Sequence, residues 1–235
     1  MLKSKTILLG VLSTFTVLVP ITTASASIFD IPKPIAQISE SILNHLRSNT
    51  SISSTVGTPS ANAVSMGIPV GAPPAGTYSV ETQPSAGSCH YRWKGNEPLP
   101  DHSCTPGALN PDVTQANIAL TICKKGYTST IRPSSSVTGQ EKKLNAISYG
   151  YTGSFKTGEY DHLVSLELAG SPNDPRNLWV EPQAIGSHHR TALNDKDKIE
   201  NTLHKAICSG QVSLSAAQVA ISSDWTTALK TLGLK

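Results

Sequence analysis

The chain has 235 residues, 38% of them hydrophobic and 15% charged, with a formal net charge of +3. Such a length allows one domain with appendages or two small ones. Lys3 and Lys5 stand in the first 26 residues, which hold no Asp or Glu, so the remainder carries +3 − 2 = +1. That balance does not advertise nucleic-acid binding, which usually leaves a basic footprint, nor does it exclude it, since a bound metal ion would add local positive charge.

Lys3 and Lys5 precede an apolar run from Ile7 to Ile21, and Ala24-Ser25-Ala26 offers a small-x-small cleavage pattern. This predicts a secretory signal peptide over residues 1–26, cut after Ala26. The run is short for a bilayer span, and no later segment approaches spanning length. The mature chain is therefore expected to be secreted and soluble, without stable membrane association. Over 27–47, Ile35, Ile38, Ile42 and Leu46 recur at helical spacing, predicting a short amphipathic helix. From Ser48 to Ser88 the chain is rich in Ser, Thr, Pro, Gly and Ala, with no charged residue between Arg47 and Glu81. This composition reads as a flexible linker.

All three Trp lie in residues 89–235, long enough for a compact domain with its own core. Thr114 to Cys123 reads as a helix, and Ile147 to Tyr151 as either a short strand or a helix end. His162 to Leu168 reads as a strand, with Leu163, Val164, Leu166 and Leu168 apolar before Gly170. Leu178-Trp179-Val180 reads as a second strand, stopped by Pro182. Ile199, Leu203, Ala206 and Ile207 predict a helix over Lys196 to Ser209 capped by Asn194 or Asp195. Ser213 then caps Leu214 to Ile221, and Asp224 caps a last helix through Leu232. Cys89, Cys104, Cys123 and Cys208 form an even set with no Cys-x-x-Cys, which favours disulfides over zinc in an exported protein. Of three pairings, Cys89–Cys104 with Cys123–Cys208 is preferred, because the helix ending at Cys208 must dock somewhere.

The chemistry concentrates between Glu159 and Trp179. Asp161-His162 begins the apolar run, and Asn177-Leu178 follows a turn rich in Pro, Asn and Asp. A carboxylate, an imidazole and a spaced amide are what metal-assisted phosphodiester hydrolysis uses: a cation ligand, a base for water and a positioning group. Strand residues alternate faces, so Asp161 and His162 converge only if the strand ends or bends there; Gly158 permits an irregular entry. There is no Gly-x-Ser-x-Gly, His-Glu-x-x-His or phosphate-cradling Gly-x-x-x-x-Gly-Lys-Ser/Thr motif.

Asp161-His162, Leu166-Glu-Leu-Ala-Gly170, Asn177-Leu178-Trp179 and the helix from Lys196-Asp197 through Cys208 together resemble the HNH endonucleases of the ββα-metal group. The likeness implies an α+β fold: a small ββα-metal, HNH-like core with additional helices, disulfide-stabilised and preceded by the flexible linker. It implies a nuclease acting on DNA or RNA with one divalent cation, Mg²⁺ or Mn²⁺. By resemblance His162 is the general base, Asp161 the first metal ligand, and Asn177 the residue that fixes the turn and the His. Arg176 is a candidate to hold a phosphate oxygen, and Glu167 falls in the resembling segment without an assigned role. The family's third signature position departs from the pattern, because the loop 181–190 intervenes. Asn194 suits it by order and Asp197 by chemistry, with His204 and the pair His188-His189 as further candidates. A non-catalytic cell-surface or binding module on a nuclease-like scaffold is the competing expectation, and a phosphodiesterase for a smaller substrate a third. No inhibitor or immunity partner is legible.

Overall fold

The computed structural model describes residues 67–187 and 194–235. The expected signal peptide, the helix over 27–47, the first part of the linker and His188-His189 lie outside the described residues. Strands β1 (Arg92–Lys94) and β2 (Glu97–Leu99) open the order, followed by a 3-10 turn over Gln115–Leu120, then α1 (Tyr127–Ile131) and α2 (Ser135–Ser148). Next come β3 (Glu159–His162), a 3-10 turn over Leu166–Leu168, and β4 (Leu178–Glu181). Helices α3 (Asp195–Cys208) and α4 (Leu214–Asp224), a 3-10 turn over Trp225–Thr227 and α5 (Ala228–Thr231) complete the order. The architecture is α+β, with two separate two-stranded antiparallel sheets. Among the described residues no helix is long and apolar enough to cross a membrane.

Capping chemistry decides where the C-terminal helices start. Asn194 is the N-cap of α3, its side chain accepting from the Asp197 N–H while Asp197 accepts from the Asn194 N–H. This reciprocal box satisfies two amide donors that a helix start otherwise leaves bare. Ser213 caps α4 through the Ala216 N–H, and Asp224 caps the following turn through the Thr226 N–H. The buried face of α3 places Leu203 and Ile207 with Leu168, Ala217, Ile221 and Trp225 in the main core. Cys123–Cys208 ties the end of α3 to the loop after the first 3-10 turn, and Cys89–Cys104 closes the other bridge. Both are the preferred pairing.

The apolar run after His162 is not a strand. β3 ends at His162, paired with Leu178, and Leu166–Leu168 turns as a 3-10 helix. Leu163, Val164, Leu166 and Leu168 are all buried, so the run is apolar because it is enclosed on every side. A short, fully buried segment has no periodicity that separates strand from turn. Thr114–Cys123 also shortens, to a 3-10 turn with Thr114 at its cap, and Ile147 belongs to the end of α2.

The expected linker gives way over residues 67–88. Pro69 accepts from Leu109 N–H at 2.9 Å, Tyr78 Oη donates to Ile131 O at 2.7 Å, and Glu81 N–H donates to Glu141 Oε1 at 2.8 Å. This strap lies along the domain and satisfies its backbone there, so the folded unit starts no later than Gly67. An extended strap and a linker share the same composition, because neither needs a periodic apolar face.

Candidate functional site

Asp161, His162, Asn177, Asn194 and Asp197 stand around the β3–β4 hairpin and the start of α3, but Asp161 and His162 do not share a face. The pairs Tyr160↔Val180, Asp161↔Trp179 and His162↔Leu178 keep β3 regular to its last residue. The pleat therefore sends Asp161 and His162 to opposite sides. Asp161 turns toward α3, while the His162 ring turns toward the loop before β4.

Asn177 builds that loop. It is fully buried, donates from Nδ2 to Val164 O and Ser171 O, each at 3.0 Å, and accepts at Oδ1 from Val164 N–H at 3.0 Å. Its own carbonyl accepts from Leu163 N–H at 2.8 Å. The loop can pass so close only because residue 170 is Gly: a Cβ there would lie 1.7 Å from Val164 O. The positional role expected for Asn177 thus has a specific geometry.

His162 is 6% exposed. Its Nε2 lies 3.0 Å from Pro172 O, in the loop that Asn177 shapes. Burial is the main effect that pushes its pKa down to about 4, against the opposing pulls of Pro172 O and Asp161. The ring is therefore neutral at neutral pH. A carbonyl can only accept, so Nε2 carries the proton and Nδ1 keeps its lone pair.

Asp161 meets a residue that sequence reasoning placed only at a helix start. Lys196 is 1% exposed, and its ammonium donates to Asp161 Oδ2 at 2.6 Å, to His162 O at 2.8 Å and to Glu200 Oε1. Three N–H donors meet three acceptors, which is full satisfaction for a buried lysine. Burial would lower the Lys196 pKa, but Asp161, Glu200 and Glu181 outweigh it and raise it. The Asp161 carboxyl is buried, which alone would raise its pKa, yet Lys196 holds it below the ordinary value. Glu181, next to Asn194 Nδ2 at 3.1 Å, goes the other way, raised by burial and by Asp161. Burial likewise pushes Glu159 up to about 7, helped by Asp161 and Asp197.

Comparison with known protein-family models, with curated proteins and with solved structures finds no match to this chain. The functional reading therefore rests on the geometry of this chain.

The remaining candidates divide sharply. Asn194 and Asp197 stand at the right end of α3 but are engaged with one another in the capping box. Arg176 grips Asp174 through Nε at 2.9 Å and Nη2 at 2.5 Å and also donates to Val70 O at 3.2 Å, so it braces its own turn. His204 sits away from the hairpin, with Nε2 2.9 Å from Ile122 O and Nδ1 3.6 Å from Glu167. Its Nδ1 or Nε2 lies within 4.8 Å of the sulfurs of Cys123 and Cys208, a grouping that could hold a metal only after the disulfide is reduced, since thiolates are the ligands.

Carboxylates gather around Asp161, but among the described residues the group of three or more His, Cys, Asp and Glu with ligand atoms within 4.8 Å of one another is Cys123, His204 and Cys208. Asp161, Glu159, Glu181, Asp197 and Glu200 all act electrostatically on one another or on Lys196, the one buried cation of the group. The donors are carboxylate oxygens, as Mg²⁺ and Mn²⁺ prefer. Sequence reasoning missed Glu181 and Glu200. The signal for Glu200 was present in its i,i+4 spacing from Lys196 on one helical face. Glu181 could be found only from the register, which puts it on the Asp161 side of the hairpin.

Proposed function

We propose that this protein is a secreted endonuclease of the ββα-metal, HNH-like kind, hydrolysing phosphodiester bonds of DNA or RNA with a divalent cation. The observation that carries this reading is the hydrogen bond from His162 Nε2 to Pro172 O. It fixes one tautomer and leaves Nδ1 as a proton acceptor on a ring that stays neutral. The Asn177 clamp gives the loop holding Pro172 a single shape, so the base has a defined orientation. Asp161 is the residue that would hold the cation, which when bound would stabilise charge on phosphate oxygens and lower the pKa of water. Lys196 anchors both Asp161 and the His162 carbonyl, fixing the helix start to the hairpin end. Two disulfides suit an oxidising compartment outside the cell.

A non-catalytic binding module on the same scaffold is favoured by two observations: Asp161 and His162 face opposite sides of a regular strand, and Lys196 is fully satisfied by Asp161, Glu200 and His162 O. Degradation of plasmid DNA and RNA by the full chain, with Mg²⁺, Mn²⁺ or EDTA and beside His162→Ala, separates the two. Cleavage lost in both EDTA and the variant supports the nuclease. Equal cleavage by the variant removes His162 as base, and no cleavage with any metal favours the binding module.

A further inference from the structure

Ser135, Gly139 and Lys142 recur at i, i+4 and i+7 along α2 and so share one helical face. That face borders a cavity of about 350 Å³, walled opposite by Phe155 and Lys156 of the loop before β3 and by Tyr160 of β3. The volume falls in the range of small-ligand sites, about 300–1,000 Å³. Gly139 keeps the helix side open, since a Cβ there would meet nothing within 4 Å. Glycine is a poor residue for a helix interior, and what it contributes here is space.

Lys142 ties the loop to the helix. Its ammonium donates to Phe155 O at 2.8 Å and to Gly158 O at 2.7 Å, and lies 5.8 Å from the centre of the Phe155 ring. An ammonium has three donors, and the third finds no acceptor among the described residues. Phe155 is nevertheless 48% exposed, and Lys156 beside it is exposed as well. Glu159 is the acid on this cavity, and burial raises it to about 7, so the two lysines outweigh it at neutral pH.

We propose that this cavity is a nucleotide subsite for a single strand of nucleic acid, with Phe155 stacking a base and Lys142 and Lys156 meeting the adjoining phosphate. The proposal rests on the reading of the hairpin as a nuclease centre and adds the form of its substrate. A half-exposed aromatic ring flanked by cations is how single strands are held, and it tolerates any base because every base has a π face. In a duplex those faces are occupied by the neighbouring bases. Tyr160, on the cavity wall, stands two residues before His162 and on the same side of β3, roughly 7 Å along the strand. A strand seated on Phe155 therefore leads toward the end of β3 that carries His162.

The test is binding of fluorescein-labelled oligodeoxythymidine to the full chain in EDTA, followed by fluorescence anisotropy, so that cleavage does not contribute. Phe155→Ala is expected to weaken binding by about tenfold or more. Lys156→Ala should lower the slope of log affinity against log salt by about 0.7, the share of one phosphate on a single strand. Gly139→Met fills the cavity from the helix and should remove binding with a melting temperature no lower than wild type, because methionine suits a helix better. Lys143→Ala, one residue along α2 and off this face, should leave binding within about twofold. Wild-type affinity in both Phe155→Ala and Gly139→Met overturns the subsite, as does a duplex that competes as well as the strand, or no strand binding by the wild type at low salt. Thymidine monophosphate competing as well as the strand would assign the cavity to a free nucleotide and overturn the strand reading. Binding unaffected by the variants in a protein that still cleaves plasmid or RNA leaves the nuclease without this subsite. Binding lost in Phe155→Ala in a protein that cleaves neither supports the subsite and ends the nuclease reading.

Discussion

Lys196 Nζ lies 2.6 Å from Asp161 Oδ2, joining the start of α3 to the end of β3 through a lysine that is 1% exposed. Asp161 and Glu200 keep only 15% and 9% of their side-chain exposure, so the charges they share with Lys196 are largely withdrawn from water. Forming such a cluster costs desolvation, and its Coulombic return is small on balance. Removing one member is different, because the others stay buried without a partner.

Lys196→Met should therefore destabilise the protein by about 3–5 kcal/mol. Urea unfolding followed by Trp fluorescence measures this, since Trp179 and Trp225 are both buried. A loss below about 1 kcal/mol would mean that the cluster behaves as a surface ion pair.

His162 should titrate near pH 4 in EDTA-treated protein, well below the ordinary value of about 6.5, as burial dictates. A histidine with a depressed folded pKa binds fewer protons when folded than when unfolded between those values. Its stabilising contribution is thus complete above about pH 6.5 and is lost as the pH falls toward 4. NMR of the imidazole nitrogens gives the titration and the protonated nitrogen together. A midpoint near 6.5, or a proton on Nδ1 instead of Nε2, would remove the basis for His162 as an oriented base.

Glu181 and Glu159 carry the opposite sign. Both are raised by burial and by neighbouring acids, Glu159 to about 7. Each contribution is present below the ordinary carboxylate value and declines as the pH rises, for Glu159 through about 7. Glu159→Gln should flatten the alkaline side of the stability curve in denaturant titrations from pH 5 to 8. An unchanged slope would show that Glu159 is ionised throughout that range.

Gly170→Ala should cost about 3 kcal/mol or more, since the new methyl would fall 1.7 Å from Val164 O and 2.7 Å from Asn177 Nδ2. The Asn177 clamp would have to open, moving Pro172 away from His162. Thermal unfolding reads the stability loss, and the His162 nitrogen shifts read the displaced carbonyl. A variant with wild-type melting would show that the loop relaxes without loss.

Reduction of Cys123–Cys208 frees a loop with a sequence separation of 85. In the chain-entropy account this bridge contributes roughly 4–5 kcal/mol and Cys89–Cys104 roughly 3. Selective Cys123→Ser with Cys208→Ser should lower the denaturation midpoint more than the paired change at Cys89 and Cys104. The reverse order would mean that native-state packing around Cys89, Tyr149 and Trp179 outweighs loop entropy.

Much of the frame was legible in the chain because its signals are local. Asn194 and Asp197 mark a helix start through bonds within one turn, Ser213 and Asp224 do the same, and Pro182 ends β4 by lacking a donor. The Asp161-His162 and Asn177-Leu178 pairs were also visible, as was the positional character of Asn177. The β1–β2 hairpin went unread despite Gly95-Asn96, a turn pair whose first residue has φ +62°. Helix α2 likewise went unread, having a weakly amphipathic surface and the polar buried residues Glu141, Asn145 and Ser148.

The sequence alone determined which chemical groups lie near the hairpin, where the C-terminal helices begin, and that the cysteines can form two bridges. Only the tertiary structure decided what those groups face. Strand alternation and register set Asp161 and Glu181 toward α3 and sent the His162 ring to Pro172. Helical phase brought Lys196 and Glu200 beneath Asp161, while the box at the helix cap engaged Asn194 and Asp197. These outcomes depend on how strand and helix pack across more than thirty residues of chain, a relation that no local pattern encodes.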